Sequence, residues 1–310
     1  MRLDPRFEAR RMHTVLITGL HGFTGEHLAA ALRLRGARVV GLVQGTPRSA
    51  DELACDLTDN QAVNAAVAQL RPTHVVHLAA QSFVGHADAR AFYDVNVFGT
   101  LNLLEALAAL DTPPTKVLIA SSSNVYGTPG VEILDESICP APVNHYGCSK
   151  LAMEHMVRTW FERLPIIITR PFNYTGLGQD ERFLIPKIVA HFRRGAPVIE
   201  LGNLDVARDF SDVRDITSAY VGLLGSGIHS ALFNVCSGKA VALRQVLNMM
   251  GEMTGHAIDV RVNPEFVRAN EIPVLCGSHG RLTSAVGFAP RHRLVDTLNW
   301  MLAGTAEVGV

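Results

Sequence analysis

Tyr146 and Lys150 stand four residues apart in Tyr146-Gly147-Cys148-Ser149-Lys150. A helix carries positions i and i+4 on one face, so the ammonium would lie beside the phenol and lower its pKa from the usual value of about 10. A phenol tuned in this way exchanges a proton near neutral pH. Upstream stand a hydroxyl run, Ser121-Ser122-Ser123, and a glycine turn, Gly19-Leu20-His21-Gly22-Phe23-Thr24-Gly25. Phenol, amine, hydroxyl and glycine turn make a set able to reduce a carbonyl with a nicotinamide. Tyr-x-x-x-Lys by itself describes many wet helix faces; the four features in order carry the reading.

Each of these groups needs an element to hold it. Residues 13 to 18 form a β-branched apolar run that meets the glycine turn, and residues 23 to 35 carry an apolar stripe at helical spacing, which reads as strand, turn, helix. The pattern next predicts a strand over 37–43, a helix over 58–70 opened by a Thr58…Gln61 capping box, and a strand over 74–78. A helix over 87–109, a strand over 116–120, a helix over 146–163 and a strand over 165–170 follow. Such alternation implies a parallel sheet covered on both faces, an α/β fold of the doubly wound Rossmann type. Beyond Arg170, glycines and prolines interrupt shorter segments. This predicts a dinucleotide-binding domain over 1–170 and a smaller, discontinuous substrate-binding α/β lobe over 171–310. A helix over 212–225 would return to the sheet, so the segment 204–236 is assigned to the first domain.

The glycine turn lies between a predicted strand and a predicted helix, where missing side chains let the backbone approach a pyrophosphate. Gly19, Gly22, Phe23 and Gly25 are assigned to the cofactor on this basis; a plain tight turn is the alternative. A carboxylate about 20 residues past the turn commonly holds the adenosine ribose 2′-hydroxyl. Here the second strand ends Val43-Gln44-Gly45, and Arg48 follows, suited to a 2′-phosphate. This favours NADP(H) and leaves NAD(H) open. Asp56 and Leu57 could meet the adenine amine, although an Asp just before Thr58 equally supports a helix start. Leu78, Ala79 and Ala80, at the end of the third predicted strand, leave room for the cofactor to pass closely.

In the order glycine turn, Ser122, Tyr146, Lys150, the sequence resembles the extended short-chain dehydrogenase/reductase family, nearly end to end. Ser121-Ser122-Ser123-Asn124-Val125-Tyr126-Gly127 is similar to that family's strand-end segment, and counting back from Gly127 places the catalytic hydroxyl on Ser122, with Ser123 beside the substrate. The resemblance implies that a hydride passes between nicotinamide C4 and a sugar carbon. Tyr146 would exchange a proton with the sugar oxygen, Ser122 would hydrogen-bond that oxygen, and Lys150 would also hold the nicotinamide ribose. Asn96, in Asn96-Val97-Phe98-Gly99-Thr100, resembles the family's Asn-x-x-Gly-Thr and is expected near the cofactor, with a local helix hydrogen bond as the plain alternative. Pro171 is expected at the cofactor as well.

Arg170-Pro171-Phe172-Asn173, Arg208-Asp209-Phe210 and Arg268-Ala269-Asn270-Glu271 are similar to segments through which nucleotide-sugar members of the family reach a diphosphate. This implies Asn173, Arg208, Arg268 and Glu271 as substrate residues, and guanidinium forks suit phosphate oxygens. The runs 182–187 and 200–210 resemble GDP-mannose 4,6-dehydratases and GDP-4-keto-6-deoxymannose reductases, which adds Lys187 and points to a guanine nucleotide. Dehydratases need a carboxylate three residues before the Tyr-Gly glycine. This chain has Asn124 there, and an amide is no general base at neutral pH. The resemblance therefore implies reduction of GDP-4-keto-6-deoxy-D-mannose to GDP-D-rhamnose or its C4 epimer GDP-6-deoxy-D-talose, with rhamnose the favoured product. A nucleotide-sugar 4-epimerase with tightly bound NAD, a GDP-mannose 4,6-dehydratase-like enzyme and a non-enzymatic dinucleotide sensor are the alternatives.

Composition narrows the partners. With 28 Lys+Arg against 29 Asp+Glu and 48% hydrophobic residues, the chain has no global attraction for nucleic acid or membrane. Its longest apolar stretches are too short to cross a bilayer and residues 1 to 11 hold no apolar run, so a cytoplasmic protein is expected. The 5 cysteines are separated, with no Cys-x-x-Cys pair, and are expected as reduced thiols. Histidines are scattered, with His74 and His77 on opposite faces of a strand, so no metal site is expected. The resemblance also implies a homodimer paired through helices 87–109 and 146–163.

Overall fold

In the computed structural model, which describes residues 13–82, 88–267 and 272–304, the first half of the chain alternates strands and helices. In order these are β1 (Thr14–Thr18), α1 (Phe23–Arg33), β2 (Arg38–Val43), β3 (Glu52–Ala54), α2 (Asn60–Leu70), β4 (His74–His77), α3 (Ala89–Tyr93), a π-helical turn (Asp94–Phe98), α4 (Gly99–Ala108), β5 (Lys116–Ala120), α5 (His145–Arg158) and β6 (Ile166–Pro171). The second half contributes β7 (Asn173–Thr175), α6 (Leu184–Arg193), β8 (Val198–Leu201), β9 (Ala207–Asp212), α7 (Val213–Leu224), β10 (Ala231–Val235), β11 (Ala240–Ala242), α8 (Leu243–Thr254), β12 (Asp259–Val262), β13 (Val274–Leu275), α9 (Gly280–Val286) and α10 (Leu294–Ala303).

Seven strands form one sheet in the order β10-β6-β5-β4-β1-β2-β3, with every neighbouring pair parallel. Successive side chains in a strand point to opposite faces, and the apolar strands use both. Val15 and Ile17 of β1 join Leu28 and Leu32 of α1 and Ile216 and Tyr220 of α7 in one core. Leu16 of the same strand joins Val63 and Val67 of α2, Leu103 and Leu107 of α4, and Met153 and Val157 of α5 in the other. Each fully buried Val, Leu or Ile contributes about 1.5–3 kcal/mol, which fixes the register of these strands. This is the doubly wound Rossmann-type arrangement.

The chain winds outward from β1 to β3 and then returns to β4 on the other side of β1. The reversal opens a crevice at the carboxyl ends of the strands, where ligands settle in such sheets. Short sheets formed by β7, β9, β11 and β13, and by β8 and β12, stand over that crevice. They share a core with α6, α8 and α10 built on Ile188, Phe192, Leu201, Val246, Met250 and Leu298.

Several local expectations change. The Thr58…Gln61 capping box does not form, because Asp59 caps α2 by accepting the N–H groups of Gln61 and Ala62, while the Thr58 hydroxyl donates to Asp56. The predicted helix over 87–109 begins at Ala89, capped by Asp88, and is split by the π-helical turn; its first residue, 87, lies outside the described residues. The predicted helix over 146–163 ends at Arg158, and residues 159–163 continue as turns. β3 has three residues and carried no readable alternation.

Candidate active site

The carboxyl ends of β1, β4, β5 and β6 converge on a cleft of about 770 Å³. At the end of β1, Gly19 adopts φ +72°, and a Cβ there would stand 2.9 Å from the Ala79 backbone nitrogen at the end of β4. A Cβ at Gly25 would stand 2.4 Å from Gly19 O, so α1 can start this close to the turn only without side chains. The result is a cradle of backbone at a helix N-terminus, fit for the pyrophosphate of a nicotinamide dinucleotide. Gly19, Gly22, Phe23, Gly25, Leu78, Ala80 and Pro171 all line the cleft.

Ser122, Tyr146 and Lys150 line it too. Ser122 follows β5 and caps a 3-10 turn over Ser123–Tyr126; its Oγ accepts the Asn124 N–H at 3.2 Å and the Asn124 Nδ2 at 3.1 Å. Tyr146 lies in the first turn of α5, whose start is fixed by Asn144 accepting the Gly147 N–H at 2.8 Å. Its phenol is pushed up to about 12, chiefly by burial, against which a hydrogen bond with Ser122 works in the lowering direction. This reverses the expected lowering by Lys150. The Lys150 ammonium is turned to the Ala120 carbonyl oxygen at 2.8 Å, and its own pKa is brought down to about 8 by burial, with Glu154 acting in the opposite direction. At neutral pH the cleft is therefore lined by a protonated phenol and a protonated amine, and the phenol is able to give a proton.

Behind this face lies a buried polar lattice. Glu154, one turn beyond Lys150, accepts Ser121 Oγ at 2.6 Å and the Arg170 guanidinium at 2.8 and 2.6 Å, with Glu154 and Arg170 side chains only 1% and 2% exposed. Burial works against the charge on Arg170, but the Glu154 bonds outweigh it and hold its pKa above the ordinary value. Arg170 also lies 4.7 Å over the Tyr126 ring, and the Tyr126 hydroxyl donates to Asn234 on β10 at 2.7 Å. The ends of β5, β6 and β10 are thus tied to the helix that carries the phenol and the amine.

Across the cleft, Asn173, Lys187 and Arg208 face the same space. Arg208 Nη1 donates to the carbonyl oxygens of Ala207 and Pro273, and Lys187 Nζ donates to Glu200 O while lying 4.5 Å over the Phe266 ring. Beside Arg208, buried Asp209 accepts N–H groups from Ser237, Gly238 and Gly277 and the Ser237 hydroxyl, which locks β9 to two neighbouring segments.

Other expected residues lie off the cleft lining. Ser123 is buried in the 3-10 turn. Asn96 is fully buried in the π-helical turn; it bonds both backbone groups of Gln81 and the Ser149 hydroxyl, so it acts on the loop after β4 from behind. Ala79 packs against Gly19 as backbone. Asp56 is engaged by Thr58 at the start of α2, and Leu57 is a core residue packed under Gly99. Arg48 is an exposed surface residue paired with Glu26 at 2.7 Å. Arg268 and Glu271 lie outside the described residues.

The structure adds groups that the sequence did not flag. Asn144, Gln179, Glu265 and Phe266 line the cleft, and Tyr174 bonds Thr24 at 2.7 Å while its ring stacks on Phe23. Glu52, on the short strand β3, is buried and bonds His21 Nε2 at 2.8 Å and the Arg48 N–H at 2.6 Å. Only Asn144 had a readable signal, a cap residue just before an amphipathic stretch.

Comparison with known proteins agrees with this geometry. The pattern of the GDP-mannose 4,6 dehydratase family matches residues 16–301. The chain is 36% identical over 274 residues to the GDP-6-deoxy-D-talose 4-dehydrogenase of Aggregatibacter actinomycetemcomitans, covering 88% of this chain and 91% of that protein. It is 34% identical over 300 residues to the GDP-6-deoxy-D-mannose reductase of Pseudomonas aeruginosa, covering 93% and 96%. Among solved structures it is similar to a Burkholderia cenocepacia protein described only provisionally as an epimerase, with TM-score 0.88, 49% identity and coverage of 95% and 98%. It is also similar to RMD from Pseudomonas aeruginosa complexed with NADPH, with TM-score 0.82, 32% identity and coverage of 94% and 98%. The chain belongs to the GDP-mannose 4,6 dehydratase family, within the extended short-chain dehydrogenases/reductases.

Proposed function

We propose that the protein reduces the 4-keto group of GDP-4-keto-6-deoxy-D-mannose, giving GDP-D-rhamnose or GDP-6-deoxy-D-talose. The observation that carries this reading is one cleft lined by the glycine cradle, by Ser122, Tyr146 and Lys150, and by Lys187, Asn173 and Arg208, with an amide at position 124. A reduced nicotinamide, when bound, supplies the hydride to sugar C4. Tyr146 gives its phenolic proton to O4 as the C=O bond becomes C–O–H, and Ser122 donates a hydrogen bond to the same oxygen as charge builds on it. Lys150 would hold the ribose of the cofactor, and its charge would ease the phenolate that remains until solvent restores the proton. Arg208 and Lys187 neutralise the diphosphate.

Asn124 argues against dehydration, because neither proton abstraction at C5 nor its return can pass through an amide. The two named relatives fall on opposite sides of the rhamno/talo question, so the face of the ketone offered to the hydride decides the product. NADP(H) is favoured: β2 ends without a carboxylate, and Arg48 is paired with Glu26 in the first turn of α1. A 4-epimerase is the second reading; the similar Burkholderia cenocepacia structure is described provisionally as an epimerase. Mixing the enzyme with NADPH and the ketosugar separates them: net loss of NADPH absorbance equimolar with sugar supports reduction, and interconversion without net oxidation overturns it. The C4 configuration of the product, read by NMR, assigns rhamnose or talose.

A further inference from the structure

Asn124 occupies the position of the missing base, and two of its donor groups converge on one atom. The backbone N–H and Nδ2 of Asn124 reach Ser122 Oγ at 3.2 and 3.1 Å. A serine hydroxyl has two acceptor lone pairs and one proton. With both acceptor directions filled from position 124, the remaining group of Ser122 is its proton, and Ser122, Asn124 and Tyr146 all line the cleft. The influence of Ser122 on the Tyr146 phenol runs in the lowering direction, as that of a donor would.

We propose that Asn124 is a positioning residue that locks the Ser122 hydroxyl as a one-way donor toward O4 of the sugar. The idea rests on the reductase reading and deepens it. The residue that removes the dehydratase base also supplies a device that reduction uses. A carboxylate at 124 would act in the opposite sense. It can only accept, so the Ser122 proton would turn toward it and away from the ketone oxygen. No proton is made or lost in this step: the proton of Ser122 stays on Ser122 and is shared with O4 while Tyr146 supplies the proton that is transferred.

The test is a double-mutant cycle on the intact enzyme with NADPH and GDP-4-keto-6-deoxy-D-mannose. Asn124→Asp, which keeps the side-chain shape, should lower kcat by about 10²-fold, the scale for losing one donor to a developing oxyanion, and leave KM for the ketosugar nearly unchanged. Asn124→Ala keeps the backbone donor and should fall between. In a Ser122→Ala background, Asn124→Asp should cost nothing further, because no hydroxyl remains to be aimed. Equal kcat for Asn124→Asp and the wild type overturns the proposal, as does an undiminished loss in the Ser122→Ala background. If the unaltered enzyme does not consume NADPH but interconverts C4 epimers, the reductase reading fails separately. The same cycle is then read on interconversion, where the lock makes the same demand on O4.

Discussion

Replacing Glu154 with Gln should leave the Arg170 guanidinium buried without a counter-charge. Both side chains are nearly inaccessible, at 1% and 2%, and the pair is bidentate, with bonds of 2.8 and 2.6 Å. Breaking such a pair on one side costs about 3–5 kcal/mol, because the orphaned ion cannot reach water. The exposed pair Arg38–Asp51 is as short, at 2.6 Å, but its side chains are 53% and 44% exposed. Asp51→Asn should therefore cost under about 1 kcal/mol. For a chain of this length each kcal/mol moves the melting midpoint by about 2 °C, so Glu154→Gln should melt about 6–10 °C lower and Asp51→Asn within about 2 °C of the wild type. Replacing Glu154 and Arg170 together by Met removes the orphan charge, and the double variant should melt above Glu154→Gln. Scanning calorimetry on the three variants decides the matter. Equal midpoints for Glu154→Gln and Asp51→Asn would refute the view that this lattice holds α5 to the strand ends.

Further expectations concern charge, cofactor and assembly. Lys150 titrates at about 8, so its ammonium is present below that pH and lost above it; kcat/KM should fall as pH rises through about 8, and Lys150→Arg should flatten that limb. Arg48→Ala frees Glu26 and removes the cation paired with the first turn of α1, so the Kd for NADPH should rise about tenfold while that for NADH stays level, as titration by fluorescence would show. An equal change for both cofactors would remove Arg48 from the 2′-phosphate. Phe98 is 55% exposed on the π-helical turn, and in a homodimer paired through α4 and α5 it would be covered. Phe98→Asp should halve the mass seen by light scattering, and an unchanged mass would exclude that face.

Much of the sheet was legible because burial on both faces writes long apolar strands such as Val117-Leu118-Ile119 and Ile166-Ile167-Ile168, and Gly-rich turns mark their ends. That Ser122, Tyr146 and Lys150 come to one cleft was legible for a different reason. A phenol and an amine four residues apart on a helix, and a hydroxyl just past a strand end, are placed by the fold itself. What failed depended on contacts between distant segments. The phenol pKa was misjudged because it is set by how deeply the ring is packed and by where the Lys150 ammonium points, and neither is a matter of spacing. The bonds of Asn96 to Gln81, in the loop that carries Ala80 and Ser82 to the cleft, likewise had no signal in the spacing of the sequence. Glu52 carries a carboxylate to His21 in the glycine turn from a three-residue strand too short to show a period. Phe266 reaches the cleft only because β12 pairs with β8 and folds the following turn over Gly202.

The most direct measurement compares the wild type with Tyr146→Phe in a single turnover, following NADPH absorbance on mixing with GDP-4-keto-6-deoxy-D-mannose. The account predicts stoichiometric oxidation by the wild type and a rate about 10²–10⁴-fold lower without the phenolic proton, with GDP binding retained. An undiminished rate from Tyr146→Phe would contradict it.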